Sequence, residues 1–179
     1  MHSVLSSIQQ GNNFDRVIYY KSDPNFPTID LNGFANVEVK DDEWDCNIEE
    51  LTSDLQNNRT LLMINSLDNA DKFHPPAFPA MPTGVKTASP ADSLKKLLGE
   101  GPRFGSFVLA FVDDWKRFTG YRDYISHFQM YIGFQLNEEA AGGLVSGGGV
   151  GRFKGLDKSN KAIFVNRQKP TMFRPFVVR

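Results

Sequence analysis

Two apolar runs in this chain end in residues able to do chemistry. Thr60 to Asn65 (TLLMIN) closes on Asn65 and Ser66, with Asp68 following shortly after. Ser106 to Val112 (SFVLAFV) closes on the paired acids Asp113 and Asp114. In α/β folds that hydrolyse nucleotides, an acid at the end of a buried strand holds magnesium or polarises water. Here Asn65 and Ser66 occupy that position. The Asn65 carbonyl oxygen can ligate a metal, but an amide cannot accept a proton. The simpler alternative is a polar strand end with its hydrogen bonds satisfied locally. Asp68 can reach back to the strand end only through a tight turn. Asp113 and Asp114 would fall at the carboxyl edge of a parallel sheet, where open α/β sheets bind ligands. Equally, Asp114 suits the N-cap of a helix opening at Trp115.

The remaining candidates are weaker. No Gly-Lys dipeptide occurs in the chain, so the phosphate-binding G-x-x-x-x-G-K-[ST] loop is absent from these residues. Thr83 to Thr87 (TGVKT) fails as a substitute, because Val85 separates the glycine from the lysine. Gly147 to Gly149 could cradle phosphate through bare N–H groups, or simply connect elements. Arg152 follows closely, and an arginine at a subunit edge can reach a neighbour's phosphate. His74 and His127 read as packing or surface residues.

These groups need elements to position them. RVIYYK (Arg16 to Lys21) is β-branched and aromatic, and reads as a central strand. Asn36 to Lys40 reads as a short strand. The uninterrupted apolar run TLLMIN suits the middle of a parallel sheet covered on both faces. Val4, Leu5 and Ile8 have helical spacing with Gly11 as a stop. Asn47 and Glu50 form a capping box for a helix through Ile48, Leu51 and Leu55. The five prolines between Pro75 and Pro90 mark a loop. Ser89, Pro90 and Asp92 then start a helix whose buried face is Leu94, Leu97 and Leu98. Gly99, Gly101 and Pro102 end it. Phe128 to Phe134 reads as a strand, Asn137 to Glu139 as the start of a short helix, and Gly142, Gly143 and Gly147 to Gly149 as loop. Lys161 to Asn166 and Met172 to Val178 read as a terminal antiparallel pair. The alternation of strands and helices predicts an α/β three-layer sandwich with a mostly parallel sheet, extended at one edge by that C-terminal hairpin.

The bulk composition sets bounds. A chain of 179 residues reads as a single domain over 1–179, able to bury about 70% of its unfolded surface. No apolar run approaches the ~20 residues that span a bilayer. The N-terminus lacks the basic flank and apolar core of a secretory signal. The lone Cys46 excludes an internal disulfide, and the scattered histidines argue against a Cys/His zinc site, which favours a reducing cytoplasmic setting. Net charge is −1 but unevenly spread. Asp41 to Asp54 carries seven acids and no base, whereas Arg152 to Arg179 carries eight bases and one acid. The basic stretch is either a solvated hairpin or a cationic edge for phosphates or a neighbouring subunit.

Taken together, three segments resemble the C-terminal half of an FtsK/SpoIIIE-type motor ATPase, of the HerA-FtsK branch of phosphate-loop NTPases. Leu61 to Phe73 (LLMINSLDNADKF) is similar to the Walker B strand and its turn. Leu97 to Asp114 (LLGEGPRFGSFVLAFVDD) resembles the helix, GP-x-x-G turn and strand leading to the sensor position. Phe128 to Val145 with Lys161 to Val177 look like the closing strands, ending in FRPF. Ser3 to Ile8 (SVLSSI) is similar to the helix that follows the phosphate loop, with His2 in place of the loop lysine. The resemblance implies a partial phosphate-loop-NTPase-like fold. It implies ATP and magnesium as the parent family's cofactors. Its implied activity is translocation of double-stranded DNA, of the chromosome-segregation type, by an oligomeric ring. Asn65, Ser66 and Asp68 would stand at the Walker B position, Asp113 and Asp114 at the sensor strand end, and Arg152 at a subunit edge. The chain then reads as a fragment starting just past the loop or a decayed copy, without ATPase competence, and with no cofactor of its own. A non-catalytic docking or assembly module and a protein-secretion motor are the alternatives within this branch. An unrelated small-molecule binder using Asp113 and Asp114 is a third class.

Overall fold

The computed structural model describes residues 8, 10–11, 14–34, 36–41, 52, 57–74, 89–114, 117, 126–144, 161–166 and 169–174. They group into two compact units, Met1–His127 and Phe128–Arg179. The first contains strands β1 (Arg16–Tyr20), β2 (Val37–Lys40) and β3 (Thr60–Ile64), helix α1 (Pro90–Glu100) and strand β4 (Phe107–Ala110). The second contains β5 (Met130–Phe134), helix α2 (Glu138–Leu144), β6 (Ala162–Asn166) and β7 (Lys169–Phe173). The protein is thus α/β, with one four-stranded parallel sheet in the order β2-β1-β3-β4 and a separate three-stranded antiparallel sheet in the order β5-β6-β7.

The parallel sheet has the expected buried centre. Every residue of β3 is buried, and so are four of the five in β1. Such strands have no polar face because both sides must be covered. On one side Val17, Tyr19, Leu61 and Met63 form a core with Ile29, onto which Ile8, Phe14 and Phe26 pack. On the alternate residues, the Tyr20 ring meets Phe73 edge-on at 5.2 Å. The 3-10 turn bearing Phe73 in turn lies against α1.

Helix α1 begins as its capping residues require. Asp92 N–H donates to Ser89 Oγ at 3.2 Å, and Ser89 N–H donates to the Asp92 carboxylate at 3.3 Å. Leu94, Leu97 and Leu98 are buried. The helix continues through Gly99 to Glu100, then tightens into a 3-10 turn at Gly101–Phe104. Gly105 follows with φ 77°, the left-handed conformation that glycine adopts without strain. Gly101 is needed for a different reason: a Cβ there would sit 2.9 Å from the Ser106 carbonyl oxygen. Ser106 is itself a bridge, accepting the Thr60 N–H at 2.9 Å and donating to the Asn58 carbonyl at 3.2 Å. The GPRFGS stretch therefore places the start of β4 beside the start of β3. Gly101→Ala is expected to cost about 2 kcal/mol through overpacking against backbone that cannot retreat. Chemical denaturation should show a lower midpoint with an unchanged slope.

Several expectations need correction. The C-terminal hairpin does not extend the parallel sheet: β6 pairs with β5, and both belong to the separate sheet. The pattern of β5 differs from that of β3. Met130, Ile132 and Phe134 are exposed at 57%, 45% and 48%, while Gly133 between them is buried, so only one side of β5 is covered. The hairpin's second strand starts at Lys169, since Asn166 pairs with Lys169. β4 is not covered like β3: among the described residues it stands at the end of the sheet order, with Phe107 43% exposed and the others half-buried. Gly142 and Gly143 belong to α2 rather than a loop. Asn137 Oδ1 accepts the Ala140 N–H at 2.8 Å, a side-chain cap on that helix. Among the described residues, no helix is long and apolar enough to cross a membrane.

Glu38 on β2 faces two cations. Arg16 Nε lies 2.5 Å from Glu38 Oε1, and Lys40 Nζ lies 3.1 Å from Glu38 Oε2. The Arg16 hydrogen bonds chiefly, with Lys40 assisting against burial, hold the Glu38 carboxyl down to about 2. A depressed folded pKa stabilises the fold above the unfolded value and loses that contribution as pH falls toward 2. Glu38→Gln is therefore expected to flatten the acid limb of stability between pH ~4.3 and 2. The effect at neutral pH is below about 1 kcal/mol, since such pairs are solvent-screened. Thermal unfolding across that pH window checks it.

Candidate functional site

Parallel pairing brings the carboxyl ends of β1, β3 and β4 to one edge of the sheet. Tyr20 aligns with Ile64, and Ile64 with Ala110. The residues that follow these three strands therefore meet.

Asn65 is completely buried. Its Oδ1 accepts the Ser22 N–H at 2.7 Å and the Asp23 N–H at 3.2 Å, and the Ser22 hydroxyl lies 2.8 Å from it and 2.6 Å from the Ser66 carbonyl, with one proton for the two. Its Nδ2 donates to the Asp23 carbonyl at 2.9 Å. Tyr19 also hydrogen-bonds Asn65, though burial dominates and moves the Tyr19 hydroxyl upward. A carbonyl oxygen has two lone pairs. With two backbone N–H donors on it and the Ser22 hydroxyl alongside, Oδ1 has no lone-pair direction left for a metal or water. The amide fastens the loop after β1 to the end of β3.

Ser66 and Asp68 form a second fastening. A 3-10 turn at Leu67–Asn69 follows the strand at once. It carries Asp68 toward the end of β4 rather than back to Asn65. Asp68 is 1% exposed. It accepts hydrogen bonds from Ser66 Oγ at 2.9 Å, Asp113 N–H at 3.3 Å and Asp114 N–H at 3.1 Å. The backbone adds Leu67 N–H to the Phe111 carbonyl at 2.8 Å. Asn69 donates to Ser66 Oγ at 3.0 Å and accepts from the Arg117 guanidinium.

The paired acids divide their roles. Asp114 Oδ1 accepts the Arg117 N–H at 3.2 Å, the contact an N-cap makes three residues ahead. Asp113 has its carboxyl raised above the ordinary value, first by burial and then by the charges of Asp68 and Asp23. Among the described residues, no group of His, Cys, Asp or Glu is arranged to hold a metal ion.

Asn65, Ser66, Asp68, Asp113 and Asp114 thus come together at one edge. Arg152, Gly147 to Gly149, Thr83 to Thr87 and Trp115 lie outside the described residues. Sequence reasoning missed Ser22 and Asp23. Asp23 Oδ1 also accepts the Asn25 N–H at 2.8 Å, which tightens its own turn. Their position directly after RVIYYK was the available sign, since a parallel neighbour ends beside Asn65. No protein-family model matches the chain, and searches of curated proteins and of solved structures give no match either.

Proposed function

We propose that this chain is a non-hydrolysing portion or degenerate copy of an FtsK/SpoIIIE-type DNA translocase core, with a partial phosphate-loop-NTPase-like architecture. One observation carries the loss of activity: the amide of Asn65, at the tip of β3, is committed to Ser22 and Asp23. That leaves the residue at the tip of β3 unable to hold magnesium or to take a proton from water, and the Asp68 carboxylate beyond it is engaged by Ser66 Oγ and the Asp113 and Asp114 N–H groups. The kinship is supported by two neighbouring apolar parallel strands, β3 and β4, whose tips bring Asn65, Asp68 and Asp113 to a shared edge. The GPRFGS turn between α1 and β4 also supports it. ATP, magnesium, duplex DNA and ring assembly belong to the parent family in this reading, and its setting is cytoplasmic. A docking or assembly module of the same fold is the second reading, and the same Asn65 geometry favours it. A protein-secretion motor shares the reading of the fold and differs in cargo.

The test is steady-state phosphate release from Mg-ATP by the purified chain, with and without duplex DNA, beside DNA binding across a salt series. The expected result is no turnover, and weak DNA affinity that falls as salt rises through bases such as Arg152, Lys154 and Arg174. Steady turnover abolished by Asn65→Ala overturns the non-hydrolysing assignment. DNA binding that is equal at low and high salt overturns the electrostatic contact. Absence of any DNA binding favours the docking module.

A further inference from the structure

We draw no further inference here: the strongest candidate, the half-exposed apolar edge strand β4 of the parallel sheet, carries nothing because nothing in the structure shows what covers it.

Discussion

Replacing Asn65 with leucine is expected to cost the fold about 4 kcal/mol. Leucine has the same branched outline but is bulkier, and it neither accepts nor donates. The Ser22 N–H and the Asp23 N–H lose their shared acceptor and the Asp23 carbonyl loses its donor, while the Ser22 hydroxyl keeps the Ser66 carbonyl. Each buried polar group left without its partner costs about 1–3 kcal/mol. Ser22 is only 8% exposed, so water replaces little of what is lost. Urea denaturation should report a lower midpoint at constant slope. An unchanged midpoint would remove Asn65 from its role as the anchor of the β1 loop. Asn65→Asp separates the acceptor from the donor. It keeps the oxygen facing Ser22 and Asp23, loses the donated hydrogen bond, and adds a buried charge beside Asp23. The two backbone N–H donors favour the new carboxylate while burial opposes it, so this variant is expected to lose less stability than the leucine variant in the same urea series.

Asp68→Asn is expected to cost about 3 kcal/mol and to loosen the exit from β4. The carboxylate accepts two backbone N–H groups from Asp113 and Asp114 on separate oxygens. Asparagine keeps one acceptor and turns an NH2 group toward the other N–H. Hydrogen bonds to a charged acceptor contribute about 1.5–3 kcal/mol, and two opposed donors add a desolvation penalty. Hydrogen exchange at the Asp113 and Asp114 amides should accelerate well beyond exchange within β3. A second readout concerns charge. Asp68 is one of the two carboxylates that push Asp113 upward, so its loss should move the Asp113 titration down toward the ordinary range. Carboxyl chemical shifts followed against pH measure that movement. Unaltered exchange at both amides would sink the proposed bridge between the two strand ends.

The parts of this protein that were legible in its sequence are those where one local rule decides the outcome. TLLMIN reads as a doubly covered strand because a residue exposed on either face would need to be polar, and none of the four from Leu61 to Ile64 is. Ser89, Pro90 and Asp92 read as a helix start because each satisfies a different requirement of the same four residues. Pairing was harder to read. The apolar character of SFVLAFV is the same whether the strand is central or at an edge, since edge position depends on which other strand is present. The strand Met130–Phe134 has no feature of its own that chooses between the parallel sheet and β6. At the site, Asn65 was recognised as the critical position, but its partners were not. Ser22 and Asp23 lie more than forty residues upstream. Only the side-by-side alignment of β1 and β3 brings them within reach, and no spacing rule expresses that.

Strand pairs in this protein differ in how far apart in the chain their partners lie. The β1–β3 pairing, which opens with the Arg59 N–H on Asp15, joins residues 44 apart. Between β6 and β7 the innermost pair is Asn166 and Lys169. Loop-closure entropy must be overcome before a distant pairing gains anything, so short reversals form early and long ones late. During refolding the basic tail should acquire its ribbon while Asn65 is still searching for Ser22. The amide that ties the two strand ends together is then among the last pieces to settle, and its arrival marks the moment at which the parallel sheet becomes committed.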